Sequence, residues 1–190
     1  QRVPRILATV DTDRAGLVLE QLLSDPHDDI RLYAIRSLNR ITDNPGGYDR
    51  PARSLILERV RAEVITGQVL AATRRGLLGL LDPKQESLLC QELEHRLAHC
   101  LTRLFGLAAL VEDPKMTAII HWNIQSGDAR LTAHAIELID TAFSREVAEL
   151  VVPLVENKTR TVELAKALPE AAENLRMAAK DPIRAVVTGQ

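Results

Sequence analysis

Aromatic residues are the scarcest part of this sequence, at 3% of its 190 residues: two Phe, two Tyr and one Trp. A β-sandwich or barrel builds its core from aromatic and β-branched residues in alternation, and that supply is missing. The core must come from Leu, Ile, Val and Ala, the residues of helix-on-helix packing, of which Leu and Ala favour helix. Long hydrophobic runs are missing too. The longest lies around residues 104–111 and is interrupted by Gly106, far short of the roughly 18–20 residues that span a bilayer. Direct membrane insertion is therefore not expected. Neither charge dominates: 24 Lys and Arg face 26 Asp and Glu, for a formal net charge of −2. Nucleic-acid binding usually leaves a basic footprint, and no run of like charges reaches five or six. A nucleic-acid partner is not expected either. Only Cys90 and Cys100 represent cysteine, ten positions apart in one predicted helix. That separation is about 15 Å along a helix axis, too far for a disulfide. Two free thiols of a reducing, cytoplasmic compartment are the expectation. Gln1-Arg2-Val3-Pro4 offers no leader, and a start at Gln reads as that of a fragment.

What is present is ordinary globular material, 46% hydrophobic and 26% charged, long enough to bury a core. Pro and Gly punctuate it at helix-length intervals. Asp-Pro occurs at Asp25-Pro26, Asp82-Pro83, Asp113-Pro114 and Asp181-Pro182, where Pro suits a first helical turn. The clear loop is residues 43–49. Around it, residues 13–23 place Leu17, Val18, Leu19, Leu22 and Leu23 on a broad helical face. From Asp28 to Thr42, Ile30, Tyr33, Ala34, Ser37, Leu38 and Ile41 form one stripe of 3.6-residue period. Residues 51–81 predict one long helix, or two joined near Thr66-Gly67. Their partner, 86–111, carries Leu89, Leu93, Leu97, Cys100, Leu104, Ala108 and Val111 in helical register. The two predict a long antiparallel hairpin turning at Asp82-Pro83. A shorter pair follows, Pro114 to Gln125 and 129–143, parted by Gly127-Asp128. Ser144 can cap a last helix striped by Val147, Leu150, Val151 and Leu154, which Pro153 should kink or tilt. Residues 162–168 and 171–179 retain helical composition. The expectation is a single all-α domain over 1–190, an α-α superhelix of about 8–10 helices with a long hairpin in its middle.

The stretch Asp25-Pro26-His27-Asp28-Asp29-Ile30-Arg31-Leu32-Tyr33-Ala34-Ile35-Arg36-Ser37-Leu38 resembles the second half of a HEAT repeat, with Ile30-Arg31, Ala34 and Ser37-Leu38 where that pattern places them. Gly127-Asp128-Ala129-Arg130-Leu131-Thr132-Ala133 is similar, although the Leu that should follow arrives one residue late. The run Ala133-His134-Ala135-Ile136-Glu137-Leu138-Ile139-Asp140 also resembles the helical region of bacterial proteins related to ATP/ADP translocases, over about residues 15–155. The HEAT resemblance implies structural roles for Arg31 and Arg130, with Asp25 the natural partner of Arg31.

Candidate chemical sites are few. His95 and His99 lie four apart beside Cys100, a spacing that could put two imidazoles on one metal, but no further ligands stand at a recognisable spacing. Two half-exposed histidines on a helix flank are the plainer expectation. Trp122 could anchor an interface, although a packed Trp in the core or between repeats is expected more often. Arg59, Arg61, Arg74 and Arg75 interleave with Glu58 and Glu63 and read as a solvated face of i, i+4 pairs. There is no Gly-rich phosphate loop, Gly-x-Ser-x-Gly elbow or His-Glu-x-x-His, so no catalytic residue, cofactor or metal ligand is assigned.

A non-enzymatic interaction or regulatory scaffold follows, as a cytoplasmic part of a larger, transporter-related protein. Its partner would be another protein or a neighbouring domain of the same chain. A HEAT-type enzyme or accessory, DNA-alkylation-repair-like or bilin-lyase-like, is the alternative. The second helix of each pair would present the binding surface, with Arg36, Arg40, His134 and Glu137 outward. Apolar ends (Val3, Ile6, Leu7 and Val10; Ile183, Val186 and Val187) suggest end-to-end self-association.

Overall fold

The computed structural model describes residues 12–44, 47–77 and 83–159. The apolar ends, the helical segments after 160 and Asp82 lie outside the described residues. The chain is all-α, with seven helices and no strand among the described residues. They are α1 (Thr12–Leu22), α2 (Asp28–Thr42), α3 (Arg53–Leu77), α4 (Pro83–Ala108), α5 (Pro114–Gln125), α6 (Ala129–Ala142) and α7 (145–159). Helices packed on helices are what a Leu/Ile/Val/Ala core can build.

The central hairpin is as expected, and residues 53–77 form one helix and not two. Its arms run antiparallel. Arg74 of α3 meets Glu94 of α4 near one end, Glu63 meets Arg103 midway, and Arg53 donates to the Val111 carbonyl beyond the other. Gly67, the expected break, is instead a crossing point. A Cβ there would lie 2.7 Å from a Leu154 methyl carbon and 3.4 Å from the Cys100 sulfur, so only glycine lets α4 and α7 press this closely on α3. Gly106 does the same for α2, since its Cβ would come within 2.6 Å of Ile35. Across that contact the Asn39 side chain donates to the Gly106 carbonyl at 2.8 Å.

α4 packs against α2, α3 and α5, while α1 pairs with α2 and α5 with α6. The buried stripes differ from the sequence reading in phase. On α2 the core face is Leu32, Ala34, Ile35, Ser37, Leu38 and Ile41, with Ile30 and Tyr33 at its margin. On α1, Ala15 and Leu19 are buried, as is Leu23 just past its end, and Leu17 and Val18 are exposed. Leu89 is exposed as well. A helix with apolar residues on three sides leaves the choice of face to its neighbours.

Aspartates cap α5 and α6, whereas α2 begins at His27 with no side-chain cap. Asp113 accepts the Met116 N–H at 2.7 Å ahead of Pro114, and Asp128 accepts those of Arg130 and Leu131, satisfying first-turn donors. Gly127, at φ 72°, supplies the left-handed residue after α5. Ser144 departs from expectation. It begins α7 with its carbonyl, but its hydroxyl and N–H both go to the Glu112 carboxylate, which Arg53 also holds. α7 runs as helix through Pro153, which is exposed.

Candidate functional site

The densest chemistry lies where α2 enters the stack. Arg103, at 1% exposure, is the most deeply buried charge among the described residues. Its Nε donates to Glu63 Oε1 at 3.0 Å and its Nη1 lies 3.2 Å from Asp28 Oδ2. Arg31 joins from above: Nε donates to the same Glu63 oxygen at 3.2 Å, and Nη2 reaches Asp28. Cys100 lies beneath, its thiol donating to the Glu63 carbonyl at 3.1 Å. Burial opposes the charge of Arg103, but the hydrogen bond and charge of Glu63, with Asp28, outweigh it and raise its pKa. Burial, then the Glu63 carboxylate, pushes the Cys100 thiol up to about 12. Two guanidiniums balance two carboxylates and the neighbouring thiol keeps its proton, so the cluster holds α2 to the hairpin and presents no nucleophile.

This arrangement corrects three expectations. Arg31 does not pair with the Asp25 carboxylate. It donates to the Asp25 and Pro26 carbonyls, while the Asp25 carboxylate accepts the His27 N–H and meets its ring. Arg130 does not repeat the role of Arg31; it is exposed. The supposed solvated face on α3 is divided as well. Glu58 and Arg61 are exposed, but Glu63 and Arg74 are buried, because α4 covers that side of the helix.

His95 and His99 are both exposed, their ring centroids 4.4 Å apart. Cys100 points the other way, into the hairpin toward Glu63, so these three side chains do not converge. Trp122 is not in the core: it is 65% exposed, and Ile119, one turn before it on α5, is 50% exposed. The short α5 turns Ile120, Asn123 and Ile124 inward, which leaves the indole outside. Arg36, Arg40, His134 and Glu137 are exposed.

A groove of about 280 Å³ runs between α2, α4 and α5, walled by Leu32, Ile35, Phe105 and Ala109, with Arg36 and His121 among its polar residues. The His121 ring stacks on Phe105 at 5.2 Å, and its buried Nε2 has no hydrogen-bond partner. Burial, then the charge of Lys158, lowers its pKa from 6.5 to about 4. An unfolded imidazole takes up its proton near 6.5 and the folded one only near 4. Stability is therefore intact above pH 6.5 and is lost as pH falls toward 4. Denaturant titrations of wild type and His121→Leu across pH 7 to 4 should show wild type losing ground steadily. Parallel curves would refute the burial of that ring.

Comparison with protein-family models, curated proteins and solved structures returns no match for this chain. The residues the sequence reading missed are Arg103, His121 and Glu63 in its buried role. For Arg103 a signal existed: it falls between Cys100 and Leu104 on the apolar stripe of α4, where an arginine can sit only if paired.

Proposed function

We propose that this chain is a non-enzymatic protein-interaction module, a HEAT-like helical stack serving as the cytoplasmic part of a larger, transporter-related polypeptide. Its partner is a protein segment or a neighbouring domain of that polypeptide. The observation that carries this reading is the exposure of Trp122 and Ile119 on one side of α5, the helix that also walls the apolar groove edged by Arg36. An exposed Trp on a helix that also walls an apolar groove is the composition of an interface anchor. The family resemblance of 25–38 and 127–140 supports the module reading, and no helix among the described residues is long and apolar enough to cross a membrane.

The test is capture of partners from the source cell on immobilised wild type, Trp122→Ala and Arg36→Glu. Trp122→Ala should reduce recovery about 30-fold, the effect of an anchor worth about 2 kcal/mol. Both variants should keep wild-type stability within about 0.5 kcal/mol, as surface changes do. Equal recovery on all three would place the binding surface elsewhere.

A further inference from the structure

Arg74 is the most deeply buried arginine of α3. Its side chain is only 10% exposed, its Nη2 meets Glu94 Oε2 at 3.3 Å, and Glu94 is itself 54% exposed. The Arg74 Nε, like that of Arg59, is buried without any hydrogen-bond partner, and Arg74 shares its surroundings with a second part-buried cation, Lys158. A guanidinium N–H withdrawn from water and left unmet is unfavourable, and in folded proteins such a group usually faces a ligand, an ion or a water.

Arg74 lines a cavity of about 270 Å³ where α3, α4, α5 and α7 meet, with Glu94, Leu97, Ala98, Leu101, Gln125 and Lys158 as the other walls. Lys158 reaches it from α7. Its Nζ donates one N–H to the Ile124 carbonyl at 2.7 Å, which leaves two further donors. Burial is the main cause that lowers the Lys158 pKa. Glu94 opposes it and the Arg74 charge adds to it, so both cations act on the same small space. Two cations thus share one half-exposed carboxylate, and the balance in the cavity is positive.

The remaining wall is apolar: Leu97, Ala98 and Leu101. An oxyanion with a short carbon body satisfies both halves, its oxygens accepting from Arg74 and Lys158 in charge-assisted bonds. Glu94 at the side favours a monoanion over a doubly charged phosphate by simple repulsion. We propose that this cavity binds a small organic carboxylate, held between Arg74 and Lys158 with its carbon chain against Leu97, Ala98 and Leu101. The site is separate from the Trp122 surface and stands or falls independently of the partner reading.

The experiment is isothermal titration of the full chain with butyrate, hexanoate and inorganic phosphate at constant ionic strength. Saturable binding of a carboxylate, tighter than that of phosphate, is expected. Arg74→Met should weaken it about 10- to 100-fold, the loss of one charge-assisted hydrogen bond. Ala98→Leu, which fills the cavity while leaving both cations in the chain, should abolish binding in a protein that still melts cooperatively. It serves as the decisive variant if Arg74→Met does not fold. The proposal is overturned by no saturable carboxylate binding, by phosphate binding as tightly, or by undiminished affinity in Ala98→Leu.

Discussion

Glu63→Gln should cost about 3–5 kcal/mol of folding stability, the usual penalty for breaking a buried ion pair and stranding its partner. The stranded partner is Arg103, at 1% exposure, and Arg31, which donates to the same oxygen, loses that counter-charge as well. Asp28 stays as a counter-ion to both, but at 59% exposure it is screened by water, so it recovers only part of the loss. Burial alone is not the source of stability here. Replacing both charges, as in Glu63→Leu with Arg103→Met, should give a protein near wild-type stability, because an apolar pair of similar size avoids desolvating either ion. Urea unfolding of the single and double variants measures both terms. A single-variant loss below about 1 kcal/mol would mean that the cluster is solvated and does not lock α2 in place.

Gly67→Val should be the second most damaging change, at about 2–3 kcal/mol, the cost of overpacking a filled core. The opposing gain from replacing a mid-helix glycine is about 1 kcal/mol at most. The contacts decide the sign: the new Cβ would lie 2.7 Å and 3.0 Å from the two Leu154 methyl carbons, and Leu154 is itself fully buried in the core. Truncating that neighbour should relieve the strain. Gly67→Val combined with Leu154→Ala is expected to lose less than the sum of the two single losses, with a coupling of about 0.5–3 kcal/mol. Thermal denaturation of the cycle provides the measurement, and strict additivity would mean that α7 does not press on α3 at Gly67.

Much of the framework was legible along the chain. The Asp-Pro signals at Asp113-Pro114 and the Gly127-Asp128 break mark helix ends by local chemistry: a side-chain oxygen for the first N–H groups and a residue that tolerates positive φ. The pairing of α3 and α4 was legible because two long 3.6-residue patterns follow one another with Pro83 between them, although a break near Gly67 stayed open. The errors concern faces. Trp122 was expected inside and is outside, while Glu63 and Arg74 were expected outside and are inside. Periodicity says that a helix has an apolar side, yet α3 carries Ile65 and Val69 exposed and Glu63 and Arg74 buried. That inversion can be stable only because Arg103, 40 positions away, supplies Glu63 with its counter-charge.

By itself, then, the sequence determined the class of the protein and where its helices begin and end, since propensity, capping and turn chemistry act over a few residues. Tertiary structure decided which side of each helix is buried, which arginine meets which carboxylate, and that Arg74 and Lys158 share one cavity. Those outcomes depend on close crossings such as Gly67 against Leu154 and Gly106 against Ile35, between residues far apart in the chain. The energy of a buried charge or a displaced indole is set by what lies across such a crossing, and no local pattern encodes that neighbour.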